Sequence, residues 1–216
     1  MVSVKNKYLV RDIESTFKYY PLLKIVQNDS SIRVVGEIPL IDSSYGEFDR
    51  YSVSISFPNT YPKRFPKVIE TSEKIPRIAD RHINNDNSLC LAVLPEELKV
   101  AKNGITFKYF LDKILVPHLS RETYYSIKKE YPNGVYGHGT EGIWQYFEDI
   151  LNIRPKSALI DELKKIVYSK WVGRNENCIC GSGVKFKKCH LKKWNEVIVV
   201  GRENLILIIN ELEKEI

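Results

Sequence analysis

The chain has little that would mark it as anything but a globular protein. No stretch of its 216 residues is long and apolar enough to read as a membrane span, and no internal repeat or low-complexity tract occurs. The opening thirty residues carry Lys5, Lys7, Arg11, Asp12, Glu14, Lys18 and Lys24, which leaves no room for the apolar core of a signal peptide. The expectation is a soluble cytoplasmic protein with no membrane partner. Cysteine is scarce, and three of the four fall together. Acidic residues nearly vanish between Leu163 and Lys193, where Lys164, Lys165, Lys170, Arg174, Lys185, Lys187, Lys188, Lys192 and Lys193 face Glu176 alone. That segment is net +8, so the rest of the chain carries −2 of the total +6. A basic patch on a nearly neutral body suits an acidic partner, nucleic acid or protein, and equally a solvated lysine face. At 43% hydrophobic and 28% charged, with 13 Tyr, 8 Phe and 3 Trp, the chain can fill a core, which excludes disordered, collagenous and coiled-coil classes.

Apolar residues recur first at helical and then at strand spacing. Leu9, Val10, Ile13 and Phe17 predict an amphipathic opening helix interrupted near Pro21. Ile32, Val34, Gly36, Ile38 and Leu40 alternate with Arg33, Val35, Glu37 and Pro39, and the proline favours an edge position. Tyr51, Val53, Ile55 and Phe57 alternate with Ser52, Ser54 and Ser56, so an antiparallel pair turning at Ser43, Ser44 and Gly46 is predicted. Three prolines stiffen Pro58 to Pro66, and Lys67 to Thr71 is a short candidate strand. Phe107, Phe110, Leu111, Ile114 and Leu115 trace a helix expected to stop at Pro117, with His118 at its C-terminal end as a dipole partner. The second half reads as helical: Ile143 to Leu151, a helix capped by Ser157 over Leu159 to Val167, and a last stripe from Leu205 to Ile216.

Cys178-Ile179-Cys180 and, after eight residues, Cys189-His190 offer three thiolates and an imidazole, the donors zinc prefers. Gly181-Ser182-Gly183 supplies the turn that folds them together. Four protein ligands leave no open position, so one structural zinc ion is expected and no metal catalysis. The run from Gly173 to His190 resembles the SEC-C zinc motif, a module appended to many bacterial proteins. That resemblance implies zinc and a binding role but names no substrate.

Cys90 lies in an apolar stretch, and a cysteine so placed is most often a core residue. Its neighbourhood points elsewhere. Tyr61-Pro62-Lys63-Arg64-Phe65-Pro66-Lys67-Val68, the polar run His82-Ile83-Asn84-Asn85-Asp86-Asn87-Ser88 into Leu89-Cys90-Leu91, and the helix from Phe107 to Leu115 resemble, in order and spacing over about residues 8–120, the core of ubiquitin-conjugating enzymes. The resemblance implies an α+β fold with an N-terminal helix, an antiparallel meander and C-terminal helices. It implies that Cys90 takes a ubiquitin-like modifier, or another protein's C-terminus, as a thioester from an activating enzyme and passes it to an amine. Thiolate chemistry alone suffices for that transfer.

Where the eukaryotic family places His-Pro-Asn, whose amide steadies the oxyanion, this chain has Asp80-Arg81-His82. An imidazole N–H can donate in the same way, which makes His82 the candidate donor or proton shuttle. Asn87 replaces the family glycine and tolerates a left-handed backbone. His138, between Gly137 and Gly139, resembles a His-Gly element after the core of a bacterial branch; a turn histidine capping the next helix is the alternative. Such enzymes resemble components of anti-phage operons whose members modify a nucleotidyltransferase, which is the target class this analogy implies. The segments expected are a conjugating-like core over 1–120, a helical extension over 121–172, the zinc motif over 173–193 and a helix over 194–216. Two other readings remain open: a catalytically silent binding module of the same fold, and a nucleic-acid-associated zinc adaptor stacking bases on Tyr168, Trp171, Phe186 and Trp194. Partner binding through protein is favoured over nucleic acid.

Overall fold

A computed structural model describes residues 4–27, 31–132, 135–169 and 172–216, the side chains of residues 4–6 and 79 excepted. Lys170 and Trp171, named above in the basic segment and among the aromatics, lie outside the described residues, as does Ser3 to Met1. In chain order the elements are helix α1 (Val4–Thr16), strands β1 (Leu23–Gln27), β2 (Ile32–Asp42), β3 (Gly46–Ser56) and β4 (Lys67–Glu70), then helices α2 (Leu94–Ala101), α3 (Phe107–Phe110), α4 (Val116–Lys128), α5 (Gly139–Leu151), α6 (Lys156–Tyr168), α7 (Leu191–Ile198) and α8 (Arg202–Leu212). The molecule is mixed α/β, with an antiparallel four-stranded sheet in the order β1-β2-β3-β4 followed by helices. No helix among the described residues is long and apolar enough to cross a membrane.

The chain divides into two compact units, residues 1–92 with 103–135, and residues 93–102 with 136–216. The expected helical extension 121–172 is shared between them: α4 belongs to the first, α5 and α6 to the second. In the first unit the alternation of β2 and β3 does what a period of two requires. Val34, Ile38 and Leu40 of β2 and Tyr51, Val53 and Ile55 of β3 are buried, while Ser52, Ser54 and Ser56 are half-buried. β1 pairs with β2 only from Ile32 to Gly36, so Pro39 lies where β2 has a partner on one side alone and its missing N–H costs no ladder bond. Gly36 stands at the end of that pairing with φ +144°, and a Cβ there would lie 2.1 Å from the carbonyl oxygen of Leu22. Gly36→Ala is therefore expected to detach β1 and to lower unfolding free energy by about 1–3 kcal/mol, the range for a strained backbone position; urea denaturation checks it. At the hairpin, Asp42 Oδ1 accepts the N–H groups of Ser44 (2.8 Å) and Tyr45 (3.2 Å), closing the turn read from the serines and Gly46. Asp12 of α1 ties three segments, since its Oδ2 accepts the Tyr61 hydroxyl (2.6 Å) and the Phe107 N–H (2.9 Å).

Several expectations are corrected. The stripe from Phe107 does not stop at Pro117. It passes through a π-helical turn, Leu111–Leu115, whose wider winding lets the Val116 N–H reach Leu111, and Pro117 then sits in the first turn of α4, where a missing N–H is tolerated. His118 is consequently in the first turn of α4 and not at a helix end. It is 3% exposed, and its Nε2 has no hydrogen-bond partner among the described residues. α6 begins one residue after Pro155, which takes the cap position at φ −63° and ψ 120°, so Ser157 is exposed in the first turn and does not cap. The last stripe is buried only as far as Leu212, and Ile216 is 66% exposed beyond the helix.

Burial holds His118 neutral, its pKa brought down from the usual histidine range to about 3, with the charges of Arg121 and His82 acting in the same direction. An unfolded histidine binds its proton below about pH 6.5, so between about 6.5 and 3 the unfolded chain holds more protons and stability falls as pH falls. The expected slope from this group is about 1.4 kcal/mol per pH unit, and His118→Gln should flatten it in denaturation curves taken from pH 7 to 4.

The second unit is built on Trp144, Phe147 and Leu151 of α5, Leu159, Leu163 and Ile166 of α6, Trp194 and Val197 of α7, and Leu205, Ile208 and Leu212 of α8. Cys178 and Phe186 are part of that core. The expected zinc appendage is thus one edge of a larger helical unit, with Phe186 set edge-on to Trp194 at 5.2 Å between ring centroids.

Candidate functional site: a thiol hairpin and a Cys/His cluster

The polar run before Cys90 is a tight, cross-bonded hairpin within the first unit. Ile83 and Leu89 form an isolated bridge, the Asn84 N–H bonds the Ser88 carbonyl (2.8 Å), and the Cys90 N–H bonds the His82 carbonyl (2.6 Å). Asn87 turns the chain with φ +63°, the left-handed conformation its side chain permits, and His82 enters it with φ +52°. The hairpin is moored to the sheet by the Leu89 N–H on the Val68 carbonyl (2.8 Å) and by Lys67 Nζ on Asp86 (2.5 Å). Lys67 and hydrogen bonds from Ser88 hold the Asp86 carboxyl well below the usual carboxylate range. The closed ladder places a His82 ring nitrogen within 4.8 Å of Cys90 Sγ, with both residues half-buried.

Behind His82 lies a polar network that the sequence did not announce. Arg81 donates from Nε (3.0 Å) and Nη2 (2.6 Å) to Glu122 Oε2, and its guanidinium lies over the Tyr125 ring at 4.3 Å. Glu122 Oε1 accepts the Tyr131 hydroxyl (2.6 Å), and the Tyr131 ring packs edge-on to His82 at 5.3 Å. The His118 ring meets His82 edge-on at 6.2 Å. The only sequence signal for this support was an arginine and a glutamate among residues that otherwise pack. His138 belongs to the second unit, where it occupies the N-cap position of α5 with φ −89° and ψ 154°, but its side chain makes no capping bond.

In the second unit the Cys178–His190 segment folds back on itself. Asn177 bridges Lys185, the Cys178 N–H bonds the Val184 carbonyl (2.8 Å), and the Cys189 and His190 N–H groups both reach the Phe186 carbonyl (3.0 and 3.1 Å). Gly181 and Gly183 carry φ +77° and +71°, which is why glycine occupies both ends of that turn. The result brings the donor atoms of Cys178, Cys180, Cys189 and His190 within 4.8 Å of one another. His190 Nδ1 lies 3.2 Å from Cys178 Sγ and 3.1 Å from Cys189 Sγ, and Cys180 Sγ lies 3.6 Å from Cys189 Sγ. Metal–ligand bonds of about 2.0–2.3 Å in a tetrahedron give edges of about 3.3–3.8 Å, close to the 3.1–3.6 Å separations seen here, so this donor set fits one metal ion. Burial pushes the Cys178 thiol up to about 11, whereas hydrogen bonds from Ser182 bring Cys180 down to about 6.

Residues 174–192 match the SEC-C motif family. The chain carries this motif. Two curated relatives match over a longer stretch: UPF0225 protein VP1145 of Vibrio parahaemolyticus serotype O3:K6 (strain RIMD 2210633) is 44% identical over 48 residues, 22% of this chain and 28% of the relative. UPF0225 protein VV1358 of Vibrio vulnificus (strain YJ016) is 43% identical over 49 residues, 23% of this chain and 29% of the relative. The chain therefore spans less than a third of the length of the curated relatives it matches. The four donors that the geometry brings together, Cys178, Cys180, Cys189 and His190, all fall within the matched residues.

Proposed function

We propose that the first unit is a ubiquitin-conjugating-like transferase of the kind associated with bacterial anti-phage operons. In this reading Cys90 is the nucleophile, and the SEC-C segment is a zinc-stabilised surface for a protein partner. The observation that carries the reading is the hairpin closed by Cys90 on His82, which sets an imidazole within 4.8 Å of a half-buried thiol. The order of helix, antiparallel sheet, Tyr-Pro loop and polar run into Leu-Cys-Leu supports it.

The chemistry follows from those two side chains. Cys90 thiolate attacks the thioester carbonyl of the modifier held by an activating enzyme, and that enzyme's thiolate leaves. A target amine then attacks the new carbonyl, negative charge gathers on its oxygen, and His82 N–H donates to it. Collapse expels the Cys90 thiolate, forms an amide and releases the amine proton to solvent or imidazole. His138 is carried as a further catalytic candidate on the resemblance alone.

Incubation with an activating enzyme, modifier and ATP should give an adduct that thiol reductant cleaves and that Cys90→Ala cannot form. An adduct unchanged in Cys90→Ala ends the transferase reading. No adduct at all, with intact partner binding, leaves the silent binding module.

The metal is read as zinc because three thiolates and one imidazole form a closed tetrahedral set, which serves structure. Protein purified without added metal should contain about one zinc per chain, and Cys189→Ser should lose both the metal and the local fold. Elemental analysis and proteolysis of residues 173–193 check the pair.

The basic face is assigned to protein. Lys185, Lys187, Lys188 and Lys192 are exposed, but Phe186 and Trp194, two of the aromatics that could stack bases, are buried in the core. Binding to mixed-sequence duplex DNA or single-stranded RNA should be weak at physiological salt. Tight, salt-sensitive binding lost in Lys185→Ala, Lys187→Ala and Lys188→Ala together would reverse the assignment to the nucleic-acid adaptor.

A further inference from the structure

One buried carboxylate in the second unit belongs to no part of the reading so far. Glu162 lies on the inner face of α6, 8% exposed among Leu159, Leu163 and Ile166. Burying a carboxylate there is costly unless specific partners hold it. Its Oε1 accepts the Trp194 indole N–H (3.0 Å), and Lys165 approaches Oε2 at 3.5 Å from the solvent side. A third group faces it: His190 Nε2, 3.9 Å from Oε1.

The direction of that contact is informative. His190 presents Nδ1 to Cys178 and Cys189, so its other ring nitrogen points away from the metal donors and towards Glu162. Ligation through Nδ1 fixes the proton on Nε2, because a neutral imidazole has one bare nitrogen and one N–H. A carboxylate on the N–H side orients the ring, fixes this tautomer and makes Nδ1 a better donor. Glu162 comes from a helix outside the matched residues 174–192, so this partner is supplied by the unit in which the motif is embedded.

We propose that Glu162 is a positioning residue of the Cys178, Cys180, Cys189 and His190 metal site, acting through His190. The proposal rests on the metal reading above. It makes the motif in this chain a part whose metal affinity depends on its host helices.

The test uses the full chain and zinc, with affinity read by competition against a chromophoric chelator. Glu162→Gln keeps an acceptor oxygen for Trp194 and removes the charge facing His190, so zinc affinity should fall about 10–100-fold while helical circular dichroism is kept. Trp194→Phe, which removes the indole hydrogen bond to Glu162 but leaves its carboxylate facing His190, should leave zinc affinity near that of the parent even if stability drops. The deciding variant is His190→Cys, which makes a four-thiolate site with no imidazole to orient. In that background Glu162→Gln should cause no further loss. An equal loss with and without His190 would assign Glu162 to the helix core only, and unchanged affinity in Glu162→Gln would overturn the proposal while leaving the metal site standing. A parent protein that takes up no zinc would remove the metal reading and this proposal together. Should Glu162→Gln fail to fold, Glu162→Asp, which shortens the reach to His190 but keeps the charge, should weaken zinc less than the loss of the ligand in His190→Ala.

Discussion

Glu122→Gln is expected to cost about 3–5 kcal/mol of unfolding free energy, the usual consequence of leaving one member of a buried ion pair without its counter-charge. The carboxylate is 1% exposed and the Arg81 side chain 8%, so neither can turn to water when its partner is lost. Glu122 Oε2 takes both guanidinium contacts and Oε1 takes the Tyr131 hydroxyl, so the amide can replace at most one oxygen acceptor while presenting N–H groups to a cation. The measurement is urea denaturation of parent and variant at matched ionic strength, with the m-value monitored to confirm a common unfolded state. A loss below about 1 kcal/mol would mean that the guanidinium is solvated in the variant. Glu122→Leu with Arg81→Met, which removes both charges, should recover much of the stability, since apolar replacement of a buried pair is often neutral. The double variant should still disturb the thiol hairpin, because Arg81 immediately precedes His82 and the Tyr131 ring that Glu122 fixes packs against it.

Much of this architecture was legible because it depends on short-range periodicity. β2 and β3 showed a period of two over Ile32 to Leu40 and Tyr51 to Phe57, and α5 and α8 showed their apolar stripes. β1 was not legible: in Leu23-Lys24-Ile25-Val26-Gln27 only Leu23 is buried, as expected of a short outer strand pairing on one side. α2 begins Leu94-Pro95, a proline at the first turn that reads as a breaker unless the helix is already known. The π turn at Leu111–Leu115 has no periodic signature, and Pro117 therefore looked like an end.

The candidate sites divide along the same line. The four metal donors were legible because they fall within thirteen positions of one another and carry unusual chemistry. Glu162 stands sixteen residues before Cys178, and its role emerges only when α6 packs beside His190. A usable signal existed, namely an acid on the otherwise apolar face of a helix, and Glu122 beside Leu119 gives the same one. Such a residue asks for a buried partner, but the sequence does not say which. The left-handed turn was partly legible, since asparagine at position 87 tolerates that conformation, whereas the positive φ of His82 was not.

That last feature sharpens the experiment on discharge. His82→Ala should leave thioester loading on Cys90 largely intact and slow transfer to an amine by about 10²–10³-fold, the usual effect of losing one oxyanion donor. Alanine also raises a second issue, because His82 holds φ +52°, where a Cβ is disfavoured and asparagine is among the better-tolerated residues. Backbone strain could then open the hairpin and imitate a loss of chemistry. Glycine separates the two effects: His82→Gly accepts the same φ without strain and supplies no donor. If the imidazole acts on the oxyanion, Gly and Ala should discharge equally slowly while Gly melts near the parent temperature, and His82→Asn, which restores an amide donor in a tolerated conformation, should recover part of the rate. If His82 matters only for the turn, both Gly and Asn should discharge like the parent. Cys90→Ser loaded in parallel should give at most an ester that reductant leaves intact, which fixes the thiol as the carrier in every arm of the comparison.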